Sequence, residues 1–443
     1  MKKLWVAGML MVSIPTFAGG LLTNTNQHIS FLRMLARGAS IDIDGVYSNP
    51  AGLAFLEDGT YVSVNIQSAY QTRIIDSNFD MWPGETRRYK GTASAPIVPS
   101  FQAAYKKGDW TVSGSFAVTG GGGKASFDSG LPMFDSKIMA LLASNSLTPD
   151  MYSINTAMDG KQFIYGLQLG LTYKVTDCLS VFAGGRMNYV KSGYEGYLDV
   201  LVKPEYAAAV PEAYIPSIAL DCDQTGWGFT PVIGADVKLG KWNLGMKYEF
   251  MTHVNIENKT KMTYKPDVDA LKAALAPYAH GVNTPNDIPA LLTAALGYEI
   301  LPSLRASVEY HYFFDKDAGM ANDRQKALKG GTNEYLAGVE WDVNKYLTIS
   351  GGYQKTDYGL SDDFQSDTSF SCDSFSVGFG AAIKFSPKLT MNIGYFWTDY
   401  SDYNKVVPAT GVVGSGYNET SLGGKDVYSR TNKVFGAGID YKF

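Results

Sequence analysis

Charge is scarce in this chain. Only 18% of its 443 residues are Asp, Glu, Lys or Arg, against about 25% in soluble proteins. That shortage disfavours a soluble protein of this length, which needs more polar surface. Cysteine is nearly absent, and Cys178, Cys222 and Cys372 lack both the number for a disulfide scaffold and the spacing of a metal site. The four histidines, His28, His253, His280 and His311, form no HExxH or Cys/His grouping, and no GxSxG or Walker-type loop occurs. No catalytic residue, metal or cofactor is therefore expected. Beyond residue 20 there is no run of 18 apolar residues, which excludes helical membrane spans. With 38 basic and 43 acidic residues, the chain has no footprint for nucleic acid.

What it does have is 45% apolar and 13% aromatic residues with 47 Gly and 29 Tyr. A disordered chain is not this aromatic. Aromatic-rich, Gly-rich, charge-poor sequence without spanning helices has the composition of a membrane β-barrel. At the N-terminus, Met1-Lys2-Lys3, the apolar stretch Leu4 to Ile14 and the small residues of Thr16-Phe17-Ala18 read as a secretory signal peptide, residues 1–18, cut after Ala18.

From about residue 60, apolar residues alternate with polar or small ones. This is the pattern of strands with one face in lipid and the other in a polar lumen. In 163–175 one face is Phe163, Tyr165, Leu167, Leu169, Leu171, Tyr173 and Val175; the other is Ile164, Gly166, Gln168, Gly170, Thr172 and Lys174. In 242–250 the apolar face is Trp242, Leu244, Met246, Tyr248 and Phe250. Fourteen strands are expected, at 60–75, 91–107, 109–123, 161–176, 178–200, 221–239, 241–263, 288–301, 303–316, 332–344, 346–360, 371–386, 388–404 and 427–443. Their connections alternate between tight turns such as Lys107-Gly108-Asp109 and long loops such as 124–160. Short periplasmic turns and long outer loops are what an outer-membrane barrel requires. The alternating last segment ends in Phe443, which resembles the signal read by the outer-membrane assembly machinery.

Residues 19–59 precede the barrel, residues 60–443, without period-two alternation, yet carry Ile29, Phe31, Leu32, Leu35, Ile41, Ile43, Val46, Leu53, Phe55 and Leu56. Such a segment is too apolar for a free tail and is expected to fold inside the lumen as a plug. Its stretch from Arg37 to Leu53, with Asn49-Pro50-Ala51, resembles the hatch of the FadL family of outer-membrane transporters for long-chain fatty acids and other hydrophobic compounds. The resemblance implies an all-β, antiparallel fourteen-stranded transmembrane barrel with an N-terminal hatch, and places Asn49, Pro50 and Ala51 near the wall by the third strand. It also implies that the third strand is kinked inward, opening a lateral gate. Pro99-Ser100-Phe101 and the run Gly120-Gly121-Gly122-Gly123 match that region, and four glycines readily bend a strand.

The outer loops suit a hydrophobe collector, because a buried alkyl chain gains ~0.8 kcal/mol per CH₂. Phe134 and Leu141 in 124–160, and Leu271 and Leu275 on a short amphipathic helix in 264–287, are the candidate ligand contacts. For an acidic headgroup the lumenal candidates are Arg186, Lys191 and Arg305, with Lys191 needing a bulge to turn inward. Cys222 and Cys372 sit at outer strand ends, so any disulfide would join them. The expectation is a monomeric outer-membrane channel for hydrophobic small molecules, facing membrane lipid and working without chemistry. A polar-solute porin and a surface adhesin or structural barrel are the alternatives.

Overall fold

The computed structural model describes residues 21, 26–82, 85–211 and 215–443. The signal peptide assigned to residues 1–18 lies outside them. Seventeen ladder segments form a single antiparallel sheet that closes on itself. Three of its strands are each interrupted once, so the described residues form fourteen strands in chain order. They are β1 (Gly59–Phe79), β2 (Arg87–Lys107), β3 (Trp110–Phe127), β4 (Tyr152–Lys174), β5 (Leu179–Val202), β6 (Ser217–Leu239) and β7 (Trp242–Glu249 and Asn255–Lys265). There follow β8 (Asn283–Pro285 and Leu291–Leu301), β9 (Leu304–Phe313), β10 (Thr332–Asn344), β11 (Leu347–Asp357), β12 (Ser374–Ser386), β13 (Leu389–Tyr400 and Tyr403–Val407) and β14 (Gly424–Lys442). The β1–β14 pairing, Tyr61 with Lys442 through Phe79 with Gly424, seals the barrel.

The period-two faces point as the residues dictate. Leu167, Leu169 and Leu171 are exposed on the outside of β4, as are Trp242, Leu244 and Met246 on β7, while Gln168 and Thr172 are buried inside. Several strands run further outward than their alternation predicts. β4 begins at Tyr152 rather than 161 and β6 at Ser217 rather than 221. Above the bilayer no lipid face has to be filled, so Asn155, Asp159 and Lys161 break the apolar alternation while the ladder with β5 continues.

Two helices cap the outer mouth: α2 (Pro132–Ser144) between β3 and β4, and α3 (Asp269–Leu275) between the two parts that lead from β7 to β8. A short α1 (Ile29–Arg33) precedes β1. Ile75, Phe79, Trp82, Leu142, Tyr278, Tyr417 and Tyr428 belong to one buried cluster under α2 and the outer loops. The three cysteines are free thiols, so the Cys222–Cys372 pairing is not made. Cys222 instead accepts a hydrogen bond from the Thr260 hydroxyl (3.2 Å), and Cys372 lies against the Tyr428 carbonyl.

Candidate functional site

Residues 26–58 lie against the inward-facing side chains of the barrel, toward its short-turn end. Segment carbonyls at Val46, Pro50, Ala51 and Ala39 accept hydrogen bonds from Gln168, Thr172, Ser180 and Asn243 (2.7–2.9 Å). Gly38 N–H donates to Glu309 (2.7 Å) and Arg33 to Asn392 (3.0 Å). This segment has no ladder of its own, so the wall satisfies its buried backbone groups. Asn49 caps the turn Pro50–Phe55 through its side-chain oxygen, and its amide donates to Asp236 on β6 (2.6 Å). Ala51 packs with Phe182 and Val232. Asn49, Pro50 and Ala51 therefore sit against β4, β5 and β6, and the same turn reaches the expected third strand at Leu53, whose carbonyl accepts from the Thr111 hydroxyl of β3 (3.4 Å). The reason is chemical: the turn's carbonyls need the hydroxyls of Thr172 and Ser180, and Asn49 needs a carboxylate.

Above this segment is an inner cavity of about 250 Å³. One side of it is a defect in the wall. β2 and β3 pair from Gly91–Phe127 to Ser94–Lys124, and again from Phe101–Phe116 to Lys107–Trp110, with no pairing between. Ala95, Val98, Val118, Gly121 and Gly123 from this unpaired stretch line the cavity. Pro96 and Pro99 explain part of it, since neither offers an N–H to the ladder. On the β3 side the strand runs through the glycines to Phe127, with two register shifts against β4, at Val118/Gly120 and Gly121/Gly123. Gly121 (φ 78) and Gly123 (φ 120) adopt backbone that side chains disfavour. A Cβ on Gly121 would collide with the Gln162 carbonyl, and one on Gly123 would come within 2.7 Å of the Ser94 carbonyl oxygen. The glycine run was legible in the sequence; the contribution of Pro96 had the signal of any mid-strand proline but was missed.

A second cavity, of about 340 Å³, opens at the outer mouth. Phe134 and Leu141 from α2, Leu271 and Leu275 from α3, and Ile218 and Leu220 from β6 line it. The four apolar residues singled out from the loops are thus brought together at one surface. The polar residues around it include Lys137, which pairs with Glu419 (2.5 Å). On the far face of α2, burial pushes the Asp135 carboxyl above its ordinary range despite the hydrogen bond donated by the Tyr89 hydroxyl (2.6 Å).

None of the three basic candidates reaches either cavity. Arg186 points inward but is ion-paired with Glu249 and stands over the Tyr47 ring of the N-terminal segment (5.6 Å). Arg305 bonds Glu340 (2.9 Å) and Asp342 (2.7 Å). Lys191 is exposed on the outer face, since no bulge turns that part of β5 inward. Two arginines that sequence reasoning passed over, Arg73 and Arg430, line the inner cavity instead.

An apolar outer belt and a closed fourteen-stranded ladder, with an N-terminal segment hydrogen-bonded to its inward-facing side chains, define a membrane-spanning barrel of the outer-membrane type. Among solved structures the chain has the fold of a FadL homologue from Pseudomonas aeruginosa. The two share a TM-score of 0.71 at 15% identity, covering 96% of this chain and 100% of that one. It is also similar to the toluene transporter TbuX of Ralstonia pickettii (TM-score 0.59, 13% identity, 95% and 99% covered). The toluene transporter TodX of Pseudomonas putida is a third (TM-score 0.56, 15% identity, 96% and 99% covered). No protein-family model and no curated protein matches the sequence.

Proposed function

We propose that this protein is a passive channel that carries hydrophobic molecules, long-chain fatty acids or similar lipids and hydrocarbons, inward across the bacterial outer membrane. Molecules gather in the outer cavity between α2 and α3, pass down to the inner cavity, and leave sideways through the unpaired β2–β3 seam. Residues 26–58 act as a hatch that keeps water-soluble molecules from crossing. Each step runs down a gradient and breaks no covalent bond.

The observation that carries this reading is the seam at the side of the inner cavity. Leaving strand backbone unpaired in a bilayer costs ~1 to 3 kcal/mol for each group not otherwise satisfied, a cost with no return in a barrel that only has to stand in the membrane. A lateral exit also spares an apolar molecule the aqueous space below. Liposomes holding the purified protein test the reading: a membrane-soluble fluorescent hydrophobe should enter faster than in protein-free liposomes, while sugars should not. Sugar entry at porin-like rates would favour the polar-solute channel instead.

A further inference from the structure

We infer that Arg73 and Arg430 form a headgroup clamp, and that the transported hydrophobes carry an oxyanion headgroup; this rests on the channel reading above. The two residues are register partners across β1 and β14 and both face inward. Directly opposed residues on neighbouring strands stand about 5 Å apart at Cβ, and like charges placed so repel. Four other arginines inside the barrel are matched to carboxylates, and buried Arg324 is held by the backbone carbonyls of Phe364 (2.7 Å) and Ser369 (2.6 Å). Arg33 pairs with Glu340, Arg37 with Asp44 (2.7 Å), Arg186 with Glu249, and Arg305 with Glu340 and Asp342. Arg73 and Arg430 make no ion pair among the described residues, and the buried Nε of each lacks a hydrogen-bond partner. Their guanidinium carbons instead face aromatic rings, Arg73 over Phe370 (5.9 Å) and Arg430 over Tyr400 (4.9 Å).

The surroundings repeat the asymmetry. No Asp or Glu lines the inner cavity among the described residues, and its remaining cation, Lys161, is taken up by Asp223 (2.7 Å). Two adjacent guanidinium groups without a counter-ion are costly to bury. One oxyanion between them removes the repulsion and supplies acceptors for both planar forks, an arrangement to which arginine is better suited than lysine. The same cavity continues over Val98 and Val118 to the unpaired seam. A ligand held by its headgroup at the arginines would therefore lay its alkyl tail toward the exit. A neutral hydrocarbon gains nothing from the pair.

Binding of hexadecanoate, hexadecyl phosphate and methyl hexadecanoate to the full-length protein in detergent tests this. The unmodified protein should bind both anions at least about tenfold more tightly than the ester, and the ranking of carboxylate against phosphate names the headgroup. Equal affinity for acid and ester overturns the clamp, and this comparison needs no variant. In Arg73→Met/Arg430→Met the preference for the anions should vanish while the ester binds as before. The melting temperature should hold or rise, because an unmatched charge pair has been removed. Arg305→Gln should keep the preference. A melting temperature that falls with anion preference intact marks the arginines as structural and overturns the proposal. If none of the three probes binds the unmodified protein, the channel reading itself fails; if the ester binds and the anions gain nothing, only the clamp fails.

Discussion

The β4–β5 seam and the β2–β3 seam belong to the same wall and differ in the continuity of their ladders. β4 pairs with β5 at every one of its 23 residues, from Tyr152–Val202 to Lys174–Ser180, without a register shift. β2 leaves β3 between Ser94 and Phe101. Glycine content does not separate them, for β4 and β5 carry Gly160, Gly166, Gly170, Gly184, Gly185, Gly193 and Gly196. None of those has a positive φ, whereas Gly121 and Gly123 do. In the continuous seam small residues make room for cross-strand neighbours: a Cβ on Gly170 would run into the Phe182 ring. At the other seam they let β3 turn off the ladder, opposite a β2 that has lost two donors to proline. A gap in a barrel thus needs both a strand able to bend and a partner unable to hold it.

The comparison can be broken most completely by making the open seam resemble the closed one. Combining Pro96→Thr and Pro99→Val with Gly121→Val and Gly123→Thr restores two N–H donors and makes the left-handed backbone cost about 1 kcal/mol or more per site. Uptake of a hydrophobic tracer by whole cells should fall to background while the barrel keeps its heat-modifiable mobility on gels. Uptake at the unmodified rate would refute lateral exit and send the ligand to the periplasmic end.

A smaller loss is expected upstream of both seams. Leu271 and Leu275 are buried against the outer cavity, and an apolar side chain of that size contributes about 1.5 to 3 kcal/mol when covered. Leu271→Asp should weaken capture of a hydrophobic probe about tenfold or more in equilibrium binding, with sugar exclusion unchanged. Unaltered affinity would mean the loop residues merely pack over the mouth.

Smaller again is the cost of loosening the N-terminal segment from the continuous side of the wall. Asn49→Ala removes the bond to Asp236 and the cap on Gly52 N–H, and leaves a buried carboxylate oxygen with less than its share of donors. Stability should drop by about 1 to 3 kcal/mol in denaturant titration. No drop would show that this anchor is redundant with those from Thr172 and Ser180.

The smallest effect sharpens the contrast from the closed side. Ser192 faces the lumen on β5, midway along its unbroken ladder, and its hydroxyl has no hydrogen-bond partner. Ser192→Ala should leave both stability, within about 0.5 kcal/mol, and transport rate unchanged. A transport defect there would mean that the continuous seam also takes part in passage.

Much of this architecture was readable without coordinates. Strand number, the outward set Leu167, Leu169 and Leu171, and the clustering of Phe134, Leu141, Leu271 and Leu275 at the outer mouth follow from period two, turn spacing and loop composition. These are local or repeating properties, and a lipid solvent enforces them on every strand alike. Strand ends were misjudged where that enforcement stops, as at Tyr152 to Lys161. The position of Asn49 beside β6 and the roles of the arginines were not readable. Arg186, Arg305 and Arg73 look alike in sequence, each an inward basic residue on an alternating strand. Which of them meets Glu249, which meets Asp342, and which is opposed by another arginine depends on the neighbour that closure of the barrel supplies. For Arg73 that neighbour comes from the far end of the chain, because β1 and β14 touch only once the sheet has curled through twelve intervening strands.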